Sequence, residues 1–297
     1  MAIYGSRQRR ENSSFTLINT KHIFDPSPWA VGTRGAVRIE YHGAAYSGWQ
    51  AQPHLATETV QEALEDALGK VANQPIRTYC AGRTDAGVHG VGQIAHFDDP
   101  VGRSSKAWVM GANSHLPPDI RVHWVHPVPS SFHARHSALW RRYRYVIANT
   151  PVRPAQLAHL VTWQRRDLDV AHMQAAAEVL IGEHDFSAFR AAQCQANSPV
   201  RHIYALDLHR WQDFILLDIT ANAFLHHMVR NIAGALMLIG TGYRPVSWLQ
   251  ELLDSRDRTI GADTASGAGL YLTAVGYPDE YELPDPPTGP SWLTGCL

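Results

Sequence analysis

Strand and helix patterns alternate twice along this chain of 297 residues, and that alternation restricts the fold more than any other feature. Apolar and polar residues alternate over Val37–Tyr41, which predicts a strand with one buried face. Thr59 then begins an apolar helical stripe, with a glutamate three residues on to complete a capping box. In the second half, Asp169 begins another helix, and residues 204–210 and 214–220 read as a hairpin. The pattern predicts an α+β fold in two subdomains that face each other across a cleft.

Composition and prolines suggest where these units begin and end. Residues 1–34 have mixed polar composition and little periodicity, so we expect a loosely ordered N-terminal extension. Residues 35–150 form the expected N-terminal subdomain and residues 151–283 the C-terminal one, with two prolines just after the boundary. Residues 284–297 are rich in proline and are expected to form a tail.

The same patterns predict the elements around the most unusual stretch of the chain. A strand at 76–80 is expected to lead into a glycine-punctuated loop at 82–92, followed by a strand at 93–97. A long apolar helix is expected at 224–239, and a late strand at 269–275.

Composition excludes several classes of protein. The hydrophobic fraction of 45% and charged fraction of 18% are typical of a soluble globular protein. The longest apolar stretch, residues 232–239, is far shorter than the ~20 residues that a membrane-spanning helix needs. The 3 cysteines have no paired spacing, which favours a reducing compartment. We therefore expect a cytoplasmic protein without a membrane anchor.

Charge is unevenly distributed, although the formal net charge is only −1. Basic residues outnumber acidic ones in residues 1–150, and the reverse holds in residues 151–297. A basic front half is compatible with a cleft that binds phosphates. Ordinary variation in surface charge explains the same numbers equally well.

The loop from Cys80 to Gly90 carries the clearest candidate for chemistry. Its small residues allow tight turns and close approach of a partner. Arg83 and Asp85 lie two residues apart, so a carboxylate can face a ligand while an arginine reaches a phosphate or a base. The alternative is an aspartate that only caps a turn.

Two further segments combine charge with apolar surroundings. In the strand 141–148, Tyr143 shares one face with other apolar residues, while Arg142 and Arg144 share the other. Aromatic rings beside arginines are typical of single-stranded RNA binding, but the tyrosines can equally be core residues. Arg230 stands alone on an apolar helix, where a buried arginine usually pairs with a carboxylate and an exposed one does not need to.

The histidines do not predict a metal site. The chain has 17 of them. On the expected helix, His226 and His227 are neighbours whose side chains point about 100° apart, so one ion cannot easily take both. We expect no bound metal.

The loop motif resembles a known active site. Residues Gly82–His89 are similar to the catalytic motif of the tRNA pseudouridine synthase A family. The resemblance runs from about Val37 to Pro278 and includes, in the family's order, further phrases at Tyr46–Gln50, Thr59–Gln61, Phe132–Arg135, Arg142–Tyr145 and Phe224–Asn231.

The resemblance implies roles for five residues. Asp85 corresponds to the catalytic carboxylate and Arg230 to the arginine that pairs with it. Tyr143 corresponds to the aromatic residue that stacks on the target uracil, and Leu270 to an apolar residue of the base pocket. Arg83 is expected to enter the anticodon arm and help to turn the nucleotide out.

The family also implies a fold, partners and a substrate. The fold is a mixed, mostly antiparallel sheet with flanking helices in two similar halves. The protein is expected to be a homodimer that grips one tRNA across both subunits, without a metal or organic cofactor. The substrates are uridines at about positions 38 to 40, which must leave a stacked arm before they can react.

The chemistry explains why these residue types are needed. Pseudouridine forms when the N1–C1′ bond breaks, the uracil turns, and C5 joins the sugar. A carboxylate can act on the sugar as a nucleophile or as a base, and the residues do not decide which. The alternative function is an RNA-binding protein of the same fold without turnover, which leaves the Arg83–Asp85 loop without a purpose.

Overall fold

A computed structural model describes residues 24–51 and 58–293. Residues 1–23 of the expected N-terminal extension and the last four residues of the expected tail lie outside the described residues. The strands are β1 (Arg34–Tyr41), β2 (Tyr79–Cys80), β3 (His89–Asp98), β4 (Ile120–Val128), β5 (Trp140–Ala148), β6 (Thr162–Trp163), β7 (Gly182–Asp185), β8 (Val200–Trp211), β9 (Phe214–Ala221) and β10 (Leu270–Gly276). The helices are α1 (Val60–Ala72), α2 (Ser105–His115), α3 (Val170–Ala177), α4 (Met228–Gly240) and α5 (Trp248–Ser255).

The described strands form one mixed, mostly antiparallel sheet. The main path runs β4-β1-β3-β10-β5-β9-β8-β7, with β2 added beside β3 and β6 beside β5. Among these pairs, β10 with β3 and β5 with β6 are parallel, and the others are antiparallel. The α+β fold and the character of its sheet are confirmed.

Strand β10 joins the two ends of the sheet. It comes late in the chain but lies between β3, from the first half, and β5. Tyr271 pairs with His89 on one side and with Arg144 on the other. The beginnings of β3 and β10 are therefore neighbours, together with the middle of β5.

Local sequence accounts for the helices that cover this sheet. Helix α1 begins at a capping box in which Thr59 and Glu62 satisfy each other's backbone amides, as the sequence predicts. Helices α1 and α2 bury their apolar faces with residues of β1, β3 and β4. Helices α3, α4 and α5 enclose a larger core with residues of β5, β8 and β9.

The boundary between the loop expected at 82–92 and the strand expected at 93–97 lies four residues earlier in the structure. Strand β3 begins at His89, and the strand expected at 76–80 is reduced to Tyr79–Cys80. Gly92 lies inside β3, at a position where a Cβ atom would collide with the Thr273 carbonyl oxygen of β10. This glycine permits close approach of two strands and does not mark a turn.

Helix α4 begins four residues later than the periodicity predicts. The expected start was Phe224, but the first helical residue is Met228. His227 at the N-cap has a φ of 63°, in the left-handed region, so the preceding residues leave the helical path. The segment 224–227 is therefore a turn that aims its side chains separately from the helix.

The proline-rich end of the chain is packed against the sheet. The Arg142 guanidinium donates a 2.8 Å hydrogen bond to the carbonyl of Pro287. Leu293 is buried, and the Trp292 ring lies against the rings of Phe214 and Tyr271. The described part of the expected tail is thus a strap across the sheet.

Among the described residues, the helices are all too short or too polar to span a bilayer.

Candidate active site

Asp85 lies on the loop between β2 and β3, at the centre of the sheet. The loop contains the expected glycines, and Gly87 adopts a φ of 75°. The backbone closes a turn in which the Val88 amide donates to the Asp85 carbonyl. The carboxylate is 21% exposed, so it can be reached from solvent while most of it is shielded from water.

Neighbouring segments fix this loop through its backbone. The Trp49 amide donates to the Thr84 carbonyl at 3.0 Å, and the Thr84 hydroxyl lies 2.8 Å from that of Tyr41. The Gln93 side chain donates to the carbonyl of Gly82 at 2.6 Å. These bonds to Gly82 and Thr84, just before Asp85, hold the carboxylate in one place.

A buried arginine ties the loop to the second half of the chain. Arg141 donates from one nitrogen to the Ala81 carbonyl and from another to the Asn222 carbonyl. Burial lowers the pKa of Arg141 from its ordinary value. Its four backbone acceptors compensate the charge without a carboxylate.

Arg230 reaches Asp85 from the first turn of α4. Its Nη1 donates a 3.0 Å hydrogen bond to Asp85 Oδ2. Its Nε donates at 2.7 Å to the Ala265 carbonyl, which fixes the guanidinium from behind. The structure thus brings together two predicted site residues that are 145 positions apart in the sequence.

Two histidines that the sequence did not assign also face the carboxylate. His226 Nε2 lies 3.2 Å from Asp85 Oδ1, and His227 Nε2 lies 3.4 Å from Oδ2. The two imidazole centroids are only 4.0 Å apart. The expectation that these side chains diverge is wrong, because it assumed a helix where the chain makes a turn.

Tyr143 forms an apolar wall close to Asp85. The side chain is 8% exposed, and the ring meets Phe224 edge to face at 5.0 Å. Burial raises the pKa of Tyr143 above its ordinary value, and the negative charge of Asp85 adds to this shift. The phenol therefore stays neutral beside the carboxylate.

Of the remaining predicted residues, Leu270 lies beside the loop and Arg83 lies on it. Leu270 is 6% exposed and opens β10, directly after a turn whose Gly267 would touch the Ala86 carbonyl if it carried a Cβ atom. Arg83 is exposed on the loop itself. Leu270 thus follows a turn packed on the loop, and Arg83 projects to solvent.

The arginines of β5 do not form an open basic face. Arg144 is 2% exposed and makes two hydrogen bonds, at 2.9 and 2.8 Å, to the carboxylate of Asp218. Arg142 is covered by the proline-rich strap through its bond to Pro287. The hypothesis that these arginines contact RNA phosphates is wrong for Arg144, whose guanidinium is buried against Asp218, and stays a prediction for Arg142, which is half-buried beneath the strap.

Comparison with known proteins assigns the chain to a family. The family model for tRNA pseudouridine synthase matches residues 37–137 and 176–278. A Pseudomonas aeruginosa protein named tRNA pseudouridine synthase A is 56% identical over 263 residues, which cover 89% of this chain and 92% of the relative. A Tolumonas auensis protein of the same name is 52% identical over 260 residues, covering 88% and 99%.

The chain belongs to the tRNA pseudouridine synthase family. Among solved structures, a Cbf5-Nop10-Gar1 complex covers 82% of this chain and 59% of the matched chain, at 12% identity and a TM-score of 0.31. The assignment rests on the family model and the relatives.

The sequence did not predict the contacts of this site that depend on backbone geometry, namely those of Ala265, His226 and His227. The carbonyl of Ala265 gives no sign of its role, because any residue supplies a carbonyl. His226 and His227 lie inside the family-like motif at 224–231, so the sequence indicates that this segment matters without giving either histidine a role. Their approach to Asp85 depends on the turn that ends in the left-handed conformation of His227, which the sequence pattern did not predict.

Proposed function

We propose that this chain isomerises uridine to pseudouridine in the anticodon arm of tRNA, at about positions 38 to 40, with Asp85 as the catalytic carboxylate. The observation that carries the proposal is the pair between Asp85 and Arg230, at 3.0 Å, on a loop whose backbone is held at Gly82 and Thr84. This pair connects the two stretches of the chain that the family model matches.

Asp85 is suited to act on the sugar. Its carboxylate is shielded but accessible, and the fixed guanidinium of Arg230 compensates its charge from one side. A rigid, preorganised carboxylate can attack C1′ or remove a neighbouring sugar proton. Either step releases the uracil, which must then be kept nearby until C5 replaces N1 at the sugar.

The apolar wall provides a place for the detached base. The Tyr143 ring, braced by Phe224, offers a flat surface on which uracil can stack. We propose that Leu270 packs against the same base. Arg83, exposed on the loop, would occupy the space in the arm that the flipped nucleotide leaves.

The number of subunits is a separate part of the proposal. We propose a cytoplasmic homodimer in which both subunits contact one tRNA, as the family resemblance implies. Light scattering of the purified chain, alone and with tRNA, checks it: a mass of one chain in both samples would contradict the dimer.

The first test measures tritium released from tRNA labelled at uracil C5. Joining C1′ to C5 expels this hydrogen, so release reports the isomerisation itself. We expect wild type to release tritium and Asp85→Asn to be slower by at least about 100-fold, because amide and carboxylate share a shape but not the reactive charge. Filter binding should show similar tRNA affinity for both proteins.

Two outcomes would contradict the assignment. Release by Asp85→Asn at more than a few per cent of the wild-type rate would remove Asp85 as the catalyst. Binding of tRNA without release by either protein would favour the alternative, an RNA-binding protein without turnover.

A further inference from the structure

Three groups that commonly bind metals converge at the candidate site. One oxygen of Asp85 and one ring nitrogen each from His226 and His227 all lie within 4.8 Å of one another. Each of the three side chains is partly exposed, at 21%, 36% and 28%. The cluster is therefore both preformed and reachable from solvent.

The separations in the cluster are compatible with a metal centre. His226 Nε2 lies 3.2 Å from Asp85 Oδ1 and His227 Nε2 lies 3.4 Å from Asp85 Oδ2, so each imidazole faces a different oxygen, and a small rotation of the carboxylate would turn one oxygen toward both. A charge-assisted hydrogen bond between such groups is usually about 2.7–2.9 Å long. In contrast, ligand atoms bound tetrahedrally to zinc at about 2.0–2.1 Å lie about 3.3–3.4 Å apart.

The ligand types select the class of ion. Two imidazole nitrogens and one carboxylate oxygen suit zinc and similar transition metals. Magnesium and calcium prefer oxygen ligands alone. With three protein ligands and an open side, the fourth position would hold water.

We propose that Asp85, His226 and His227 bind a zinc-like divalent cation in the RNA-free protein, and that this ion and the tRNA substrate exclude each other. The ion takes the carboxylate that acts on the sugar, so it inhibits the reaction. The inhibition rests on the proposed function, whereas binding of the ion to the free protein does not.

Arg230 opposes the ion and so provides a directional test. Its Nη1 lies 3.0 Å from Asp85 Oδ2, and its Nε donates to the Ala265 carbonyl, which favours this position of the guanidinium. A positive charge this close to the site must weaken the binding of a cation. Replacing Arg230 by glutamine should therefore tighten the metal site, although it harms the proposed reaction.

Zinc titration of the full chain by calorimetry tests the binding. We expect one equivalent to bind wild type, and His226→Asn and His227→Asn each to weaken it by at least about tenfold. Asparagine at 227 tolerates the left-handed backbone, so the turn should persist. Arg230→Gln should strengthen binding by about tenfold or more.

A matched control uses another histidine–carboxylate pair. His172 Nδ1 lies 3.1 Å from Asp169 Oδ2 on the surface. Within the described part of the chain, this pair has no third metal-binding side chain beside it. His172→Asn should leave zinc affinity unchanged. Cys194 needs the same check, because its sulfur accepts a 3.4 Å hydrogen bond from the His226 amide. Loss of binding in Cys194→Ser alone would overturn the assignment.

Inhibition is measured by tritium release at several concentrations of zinc and tRNA. We expect zinc to slow the wild type, excess tRNA to relieve the effect, and a chelator to reverse it. Zinc that fails to bind, or that binds equally to both histidine variants, would overturn the site. Zinc that binds without slowing an active enzyme would overturn the competition. An inactive wild type would contradict the proposed function and leave the calorimetric result intact.

Discussion

At the scale of single residues, Arg230 connects two requirements of the candidate site. It compensates the charge of Asp85 and is itself held by the Ala265 carbonyl. Arg230→Leu removes both bonds and leaves a shielded carboxylate with no guanidinium beside it. We expect kcat to fall by about 100-fold, equivalent to about 2.7 kcal/mol, with tRNA affinity changed only severalfold. Single-turnover tritium release with saturating enzyme measures the loss.

A surface arginine provides the control for this substitution. Arg256 is 68% exposed and lies 3.5 Å from the carboxylate of Asp185. Such exposed pairs contribute little, so Arg256→Gln should retain the wild-type rate. Equal losses in the two variants would show that the effect of Arg230→Leu is not specific to Asp85.

His89 predicts a pH dependence of stability. Its Nδ1 accepts from the Gly43 amide, and its Nε2 lies 2.9 Å from the His159 carbonyl, so the ring is neutral with the proton on Nε2. Burial lowers the pKa of His89 to about 4. Because the folded-state pKa lies below the ordinary value near 6.5, this stabilisation is complete above about pH 6.5 and is lost as the pH falls toward 4.

The expected loss at pH 4 is about 2–3 kcal/mol from His89 alone. Urea unfolding of wild type and His89→Gln between pH 4 and 7.5 measures it. The variant should be less stable at pH 7 but lose less between pH 6.5 and 4. His115→Gln, at an exposed position, should follow the wild-type profile. A parallel decline in His89→Gln would exclude this residue as the source.

At the scale of elements, periodicity predicted the strands and helices whose burial depends on nearby residues. Strands β1 and β5, helix α1 with its capping box, and the β8–β9 hairpin are found where the sequence predicts them, although β8 begins four residues earlier than expected, because their burial patterns repeat within a few residues. The start of β3 was not predictable, since Gly92 is defined by the approach of Thr273, which is 181 positions away. The start of α4 depended on the left-handed conformation of one histidine, which apolar periodicity does not encode.

The segment after β1 controls the catalytic loop through one glycine. Gly48 has a φ of 92°, and a Cβ atom there would come within 2.5 Å of the Thr84 carbonyl oxygen. Gly48→Ala must therefore strain the backbone and displace the residue next to Asp85. We expect stability to fall by about 1–3 kcal/mol and kcat by at least about tenfold, since small displacements at a site are costly.

Gly69 is the matched control, because it lies inside α1. A Cβ atom added there would lie 3.4 Å from the Gln74 carbonyl oxygen, which is ordinary van der Waals contact. Gly69→Ala should leave kcat unchanged and raise stability by about 0.5–1 kcal/mol, as alanine is the better helix former. Thermal unfolding and tritium release on both variants separate strain at the loop from a general effect of adding a methyl group.

At the scale of the whole molecule, the site exists only when distant parts of the chain meet. Asp85 comes from the first half and Arg230 from the second, and β10 holds the two halves in one sheet. The family resemblance led to the pair, whereas spacing and composition alone left Asp85 as a possible turn cap. The division into subdomains at residue 150 stays a prediction; β5, which ends just before it, pairs with β9 and β10 from beyond it.

The proline-rich strap packs across this sheet near the end of the chain, and we expect it to stabilise the fold. It accepts a hydrogen bond from Arg142, buries Leu293, and places Trp292 against two aromatic rings of the sheet. Full burial of Leu293 and partial burial of Trp292 are together worth about 2–4 kcal/mol. A protein ending at Leu283 should therefore unfold at a lower urea concentration than one ending at Leu293, and this pair isolates the described strap. Because the strap lies on the face that carries Arg142, and not on the loop of Asp85, the shortened protein should keep its tritium-release rate at low temperature. Equal urea midpoints would mean that the strap contributes nothing to stability, and a lost rate in a folded protein would show that it also positions the site.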